Sequence, residues 1–186
     1  MRYMAVFLVL LILLTGCSPD SDSESAALSV RSKLLTSKEC TFSTEVLADY
    51  GDSTCVFSTD VVVSRDSDLK FVITSPNTIA GITGTISKNA GEITFDNQVV
   101  LFQLLVDGQI TPVCAPWLFY NTLNRGIIRS SGKTNEGEMV IYDDIFEGED
   151  FEMYLTFDNV GEPSHCEFVW QGRRFLSMDI KMFQIL

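Results

Sequence analysis

The chain has 186 residues, of which 13 are basic and 25 are acidic, and its formal net charge at pH 7 is −12. A surface this acidic is repelled by phosphate backbones and anionic lipid headgroups, which argues against nucleic-acid binding and against electrostatic adsorption to a membrane. Hydrophobic residues make up 46% of the chain, so a filled core is expected rather than disorder. The length suits a single domain.

The N-terminal residues have the pattern of an export signal. Residues 1–3 include one basic side chain, and residues 4–14 form an apolar run that suits a signal-peptide core but is short for a membrane-spanning helix. The sequence Leu14-Thr15-Gly16-Cys17 resembles the lipobox of bacterial lipoproteins. This resemblance implies that residues 1–16 are removed and that the Cys17 thiol carries diacylglycerol. The alternative is an ordinary secretory signal followed by a chance cysteine.

An acidic tether is expected to follow the lipidated cysteine. Residues 18–25 contain no apolar side chain except one proline and alternate small with acidic residues, so they cannot join a core. We therefore predict a tether over residues 17–25 and one domain over residues 26–186. The expected location is the extracytoplasmic face of the cell membrane, where several acyl chains on Cys17 would anchor the protein.

The first half of the domain begins with a helix and continues as strands. Ser25 can cap a short amphipathic helix over residues 26–35. The ranges 40–50 and 55–64 then alternate apolar with polar side chains, as half-buried strands do. Because Gly51-Asp52-Ser53 is a turn sequence, the two strands are predicted to form a hairpin.

The second half contains one further helix among strands. The apolar run 99–106 fits a buried strand or part of a helix, and we favour the strand. Residues 112–124 have a proline start and a glycine after their end, which predicts a helix of two to three turns. Alternation then predicts strands over 151–157, 166–170 and 176–182.

These strands predict a mainly β, α+β domain. Consecutive antiparallel strands with one apolar face must cover that face, and a curved sheet wrapped around one or two helices does so. The runs 69–76 and 79–82, and later 155–159 with Gly161 and Pro163, resemble bacterial lipoproteins related to the LolA and LolB lipoprotein carriers and to mycobacterial lipid-binding lipoproteins. The resemblance implies an incompletely closed antiparallel half-barrel with one or two helices in its concave face.

Several large apolar side chains fall on the inward parity of the predicted strands. Methionines and aromatic residues can line a pocket that adapts to acyl chains, and they can equally fill a core. The candidates for lining a ligand are Phe42, Phe71, Met153, Phe157, Trp170, Met178 and Met182.

Cysteine, acidic and histidine side chains are further candidates for sites. Cys40, Cys55, Cys114 and Cys166 fit two disulfides in any of three pairings, or buried free thiols. The acidic side chains between residues 143 and 152 could hold calcium, but their spacing favours a solvated turn. His165 is interpreted as a surface or edge residue because no nucleophile or orienting partner accompanies it. No metal site and no cofactor are therefore predicted.

Two functions fit these expectations. The first is a membrane-anchored extracytoplasmic lipoprotein that binds or carries an acyl chain or lipid in the half-barrel. The second is a non-catalytic envelope sensor or protein-interaction module. An enzyme is not predicted, because the sequence lacks a nucleophile elbow, a zinc motif, a phosphate loop and a dinucleotide fingerprint. A pocket above about 300 Å³ would favour the first function, and a filled interior would favour the second.

Overall fold

The computed structural model describes residues 22–64, 68–87, 90–106, 109–135 and 137–186. The strands pair antiparallel throughout, and two helices lie among them. In chain order the elements are α1 Asp22–Thr36, β1 Glu39–Asp49, β2 Thr54–Ser64, β3 Leu69–Ser75, β4 Thr83–Ser87, β5 Ala90–Phe95, β6 Gln98–Gln103, β7 Leu105–Val106, β8 Gln109–Ile110, a 3₁₀ turn Pro112–Cys114, α2 Ala115–Arg125, β9 Ile127–Thr134, β10 Gly137–Phe146, β11 Glu149–Phe157, β12 Pro163–Trp170 and β13 Arg173–Ile185.

Eleven strands form one open sheet in the order β6-β5-β4-β3-β2-β1-β13-β12-β11-β10-β9. The sheet consists of two antiparallel meanders that join where β1 pairs with β13, so the first and last strands lie at its centre. Strands β6 and β9 are its two edges. This architecture confirms the predicted mainly β, incompletely closed half-barrel.

The concave face is filled by the two helices. Helix α2 is buried along most of its length, including every residue from 115 to 120, which is expected of a helix enclosed by a sheet. The ring of Phe119 packs edge-on against Phe42 of β1 and Phe183 of β13, at centroid distances of 5.4 and 6.1 Å. Helix α1 buries Ala27, Val30 and Leu34 and packs against α2, β9 and β10. The helix predicted over residues 112–124 is thus present at the predicted place.

Helix α1 is longer than predicted and includes residues assigned to the tether. It begins at Asp22, and Ser23 is fully buried. The Ser23 hydroxyl donates to the Gly132 carbonyl of β9 at 3.0 Å. The polar composition of residues 22–25 suggested a solvated segment, but this hydrogen bond satisfies the buried hydroxyl and docks the first turn on the sheet.

Two glycines leave space for aromatic rings of the neighbouring strands. Gly84 lies directly opposite Phe71, and a Cβ on Gly84 would lie 2.3 Å from the phenyl ring. Gly91 lies opposite Phe102 in the same way, with a distance of 2.1 Å. Glycine is therefore required at both positions, because the cross-strand aromatic ring lies too close to admit a Cβ.

Candidate functional site

A cavity of about 340 Å³ opens at one end of the half-barrel. It lies where β1 ends and where the β10–β11 and β12–β13 hairpin turns are placed. Its walls are mainly aromatic side chains: Tyr50, Phe146, Phe151, Trp170 and Phe175. The volume lies within the range of about 300 to 1,000 Å³ that small-molecule pockets occupy.

Two tight turns bring the wall residues together. The β10–β11 turn has two residues with positive φ, Glu147 and Gly148, so Phe146 and Phe151 approach the cavity from neighbouring strands. A bulge in β13 supplies another ring, because the register shifts between Phe168 and Val169 and leaves Phe175 as the extra residue. Each ring therefore comes from a strand end rather than from the middle of an alternating row.

The rim of the cavity is polar and carries more negative than positive charge. Asp49 and Glu149 contribute carboxylates, and Arg173 contributes the only basic side chain among the residues that line the cavity. The Arg173 guanidinium lies 3.5 Å from the Asp49 carboxylate and also donates to the Asp49 carbonyl. Arg173 is thus engaged by Asp49, and Glu149 has no basic neighbour on the rim.

Tyr50 fixes the wall of the cavity on the side of β8. Its hydroxyl donates to the carbonyl oxygen of Ile110, which is itself a wall residue. Burial raises the pKa of Tyr50 to about 12, so the phenol stays protonated and remains a donor at neutral pH. This hydrogen bond holds the Tyr50 ring in place against β8.

The structure places only one of the seven predicted lining residues at the cavity. Trp170 contributes to its wall. Five others are at most 3% exposed and fill the core instead, namely Phe42, Phe71, Met153, Phe157 and Met178. The prediction for Met182 is wrong, because an irregular register between β1 and β13 and a positive φ of 51° turn this side chain outward to 72% exposure.

The four cysteines of the described residues are free thiols. Cys40, Cys114 and Cys166 are buried, and Cys55 is exposed. Burial raises the pKa of Cys40 to about 12 and raises the pKa values of the other two buried thiols as well. The buried thiols therefore act as small apolar core residues, and the disulfide alternative is not realised in this structure.

The acidic side chains near residue 150 do not form one solvated turn. Glu147 lies in the turn, the others are divided between β10 and β11, and two arginines neutralise part of the charge. Arg129 lies 2.6 Å from the Glu152 carboxylate and 3.3 Å from that of Asp143, while Arg125 lies 3.6 Å from Asp144. Within the described ranges, no group of three or more histidine, cysteine and acidic side chains is placed to hold a metal ion.

His165 lies on β12 and makes a hydrogen bond to a carboxylate of the neighbouring strand. Its Nδ1 is 2.7 Å from the Asp179 carboxylate of the neighbouring strand, and its side chain is 35% exposed.

The predicted lipid-attachment residue, Cys17, lies outside the described residues. Among the helices that the structure describes, none has both the length and the apolar character needed to cross a membrane.

This arrangement is an incompletely closed antiparallel half-barrel with enclosed helices, the architecture that the sequence resemblance implied. A DUF1329 family protein from Desulfovibrio piger matches with a TM-score of 0.52 at 6% identity, covering 90% of this chain and 93% of that one. A LolA superfamily protein from Nitrosomonas europaea gives 0.48 at 8% identity over 88% and 93% of the two chains. LprF from Mycobacterium bovis gives 0.43 at 7% identity over 89% and 94%. At these identities the likeness concerns the fold alone. No protein-family model and no curated protein matches the sequence.

Proposed function

We propose that this chain is a lipid-anchored extracytoplasmic protein that binds an acyl chain or a similar apolar ligand in the end cavity, and that it acts by binding rather than by catalysis. The observation that carries this proposal is the cavity of about 340 Å³ with its aromatic walls. Burial of apolar ligand surface there contributes about 25 cal/mol per Å² before the cost of immobilising the ligand.

The helices restrict where such a ligand can lie. Phe119 and the rest of α2 occupy the middle of the concavity, and five of the predicted lining residues are already buried against core neighbours. A ligand is therefore expected only at the end bounded by Phe151, Trp170 and Phe175. This geometry suits one acyl chain or one small apolar group better than a lipid with several chains.

The rim charges favour a ligand with a neutral headgroup. Arg173 is already paired with Asp49, and Glu149 adds an uncompensated carboxylate beside the opening. At about 7 Å, two like charges in water repel by roughly 0.6 kcal/mol, so an anionic headgroup at the rim is disfavoured about threefold. A monoacylglycerol should accordingly bind better than a fatty acid of the same chain length.

The proposed anchor would lie at the opposite end of the half-barrel from the cavity. Asp22 at the start of α1 lies 3.4 Å from Lys133 near the β9–β10 end, whereas Phe146 is at the other end of β10. The separation along β10 is about 27 Å. Residues 17–22 span at most about 18 Å when extended. The tether would therefore be too short to bring the backbone of Cys17 itself to the cavity.

Photocrosslinking tests the proposed binding site. The full chain in nanodiscs is exposed to a 1-lauroylglycerol analogue with a diazirine near the chain end, and labelled peptides are identified by mass spectrometry. We expect labels on peptides that contain Phe151, Trp170 or Phe175. Ile110→Trp fills part of the cavity and should remove most of the label, whereas Ile127→Trp makes the same change at an isoleucine that is 72% exposed and should not. Label spread over the whole chain, or unaffected by Ile110→Trp, would contradict the proposal.

A further inference from the structure

The walls of the end cavity divide into a buried interior and a half-exposed mouth. Three phenylalanines of the wall are at most 9% exposed, namely Phe146, Phe151 and Phe175. The Phe168 ring packs against two of them, with its centroid 6.1 Å from that of Phe151 and 6.5 Å from that of Phe175. Tyr50 and Trp170 also line the cavity but are only partly buried. The interior therefore suits an apolar chain, and the mouth offers a tyrosine and a tryptophan to a headgroup.

The mouth has no free hydrogen-bond donor or cation for an acidic headgroup. The Arg173 guanidinium lies 3.5 Å from the Asp49 carboxylate, so the charges of these two side chains largely cancel. The Tyr50 hydroxyl already donates to the Ile110 carbonyl. Glu149 lies opposite Phe146 in the β10–β11 hairpin and has no basic partner among the described residues. One uncompensated carboxylate therefore determines the sign of the charge at the mouth.

A second groove adjoins the mouth and is also acidic. It has a volume of about 960 Å³ and shares four residues with the cavity, namely Glu149, Phe151, Trp170 and Gln171. Both of its arginines, Arg125 and Arg129, are held by carboxylates of β10 and β11. Asp150 of the groove has no basic partner within the part of the chain that the structure describes. The negative potential at the mouth thus extends beyond Glu149 itself.

Aromatic rings next to a free carboxylate are the chemistry that recognises an ammonium group. The ring face carries the negative part of the aromatic quadrupole, and tryptophan and tyrosine attract cations through it. We infer that the ligand is a single-chain amphiphile with an ammonium headgroup, whose chain lies among the phenylalanines and whose ammonium lies at the mouth close to Glu149, Trp170 and Tyr50. This inference rests on the proposed binding function and adds the sign of the headgroup charge.

Desolvation determines which end of the amphiphile enters the cavity. An ammonium among Phe146, Phe151 and Phe175 would lose its water without gaining a carboxylate, which is costly for a charged group. At the mouth the ammonium keeps water on one side and has Glu149 on the other. The chain gains the most from the interior, because its burial there removes apolar surface from water.

The two contacts at the mouth set the expected preference. Attraction to one carboxylate at about 7 Å in water favours a cationic over a neutral headgroup by about threefold. Contact with one aromatic ring at a partly exposed site adds about two- to fivefold. An ammonium amphiphile should therefore bind roughly tenfold more tightly than its neutral counterpart, and an anionic amphiphile should bind least tightly of the three.

Displacement of the photolabel by three ligands with the same acyl chain tests this order. The full chain in nanodiscs is labelled with the 1-lauroylglycerol diazirine probe in the presence of lauroylcholine, 3,3-dimethylbutyl laurate or laurate. The second ligand replaces the nitrogen of the first by carbon, so the pair differs in charge at matched shape. For each ligand, half-displacement concentrations are compared between variants and wild type, which cancels differences in partitioning into the nanodisc.

Glu149→Gln removes the charge and keeps the shape of the side chain. It should weaken displacement by lauroylcholine about threefold, leave 3,3-dimethylbutyl laurate unchanged and strengthen displacement by laurate about threefold. The matched control is Glu92→Gln, which changes an exposed glutamate on β5 and should alter none of the three ligands. Circular dichroism first shows that each variant is folded.

Trp170→Leu separates the ring contact from general packing. Loss of apolar contact weakens both esters, and lauroylcholine should lose about two- to fivefold more than 3,3-dimethylbutyl laurate. If the probe labels the cavity but Glu149→Gln changes the three ligands equally or not at all, the headgroup inference is overturned and the binding proposal is not. If the probe does not label the cavity and none of the three ligands protects it, both are overturned.

Discussion

Arg31 of α1 donates hydrogen bonds to carbonyl groups at the C-terminal end of α2. The loss of stability expected when these bonds are removed can be worked out from their geometry. Its Nε donates to the Leu123 carbonyl at 2.7 Å, and its Nη2 donates to the Gly126 carbonyl at 2.6 Å. Leu123 lies in the last turn of α2, where carbonyls lack intrahelical partners and the helix dipole is negative. The guanidinium also lies 5.6 Å from the centroid of the Tyr142 ring.

Arg31→Met keeps most of the aliphatic stem and removes these polar contacts. Two hydrogen bonds from a charged donor contribute about 1.5 kcal/mol each at the lower end of their range, and the ring contact adds about 0.5 kcal/mol. Allowing for packing by the methionine, we expect the free energy of unfolding to fall by about 3 kcal/mol. For a domain of this size that loss lowers the Tm by about 6 to 12 °C.

Urea unfolding followed by circular dichroism and tryptophan fluorescence measures this loss. Arg31→Lys keeps the charge but cannot reach both carbonyls, so its stability should lie between those of the wild type and Arg31→Met. The matched control is Arg174→Met, which removes a surface ion pair with Glu167 and should cost less than about 1 kcal/mol. Equal losses for Arg31→Met and Arg174→Met would refute the reasoning.

Three further predictions concern a buried phenol, a surface carboxylate and the thiols. The buried Tyr142 hydroxyl has no hydrogen-bond partner among the described residues, so Tyr142→Phe should leave stability unchanged or raise it by up to about 1 kcal/mol in thermal unfolding. Hydrogen bonds from Arg129 and Tyr154 lower the pKa of Glu152 in the folded chain. The stability from this shift is present above the ordinary glutamate pKa and is lost as pH falls through the folded value. Between about pH 6 and 3, the wild type should therefore lose more stability than Glu152→Gln. In native maleimide labelling with mass spectrometry, Cys55 should react, and a second group of thiols should react only after unfolding, namely Cys40, Cys114 and Cys166.

The sheet was predictable because a half-buried strand has a period of two that the sequence displays directly. Strand β1 alternates buried and half-exposed positions along its length, and β2 and β11 behave similarly. The helix after Pro116 was equally visible, since proline and glycine mark its ends. Alternation identifies the face of a strand, however, and cannot say whether another element already fills the space in front of that face.

The cavity was not predictable for that reason and because of its irregular backbone. Phe42 and Met178 face inward as predicted, but α2 and neighbouring side chains occupy the space before them. A bulge in β13 places Phe175 at the cavity, and an irregular register between β1 and β13 places the Met182 side chain outside the core. Neither backbone irregularity has a sequence signature. The exposure of β6 could not be predicted either, because an apolar run of this length is expected to be buried.

The chain between β6 and β9 determines why the sheet stays open. These two edge strands are joined by the segment that contains α2, and this segment passes through the concavity rather than around its outside. Bringing β6 and β9 together into a cylinder would require α2 to be expelled, with the loss of its buried aromatic contacts. The open form of the sheet is thus maintained by the enclosed helices, and a substitution that thins or thickens α2 should change the curvature of the strands against which it packs, β10 and β13.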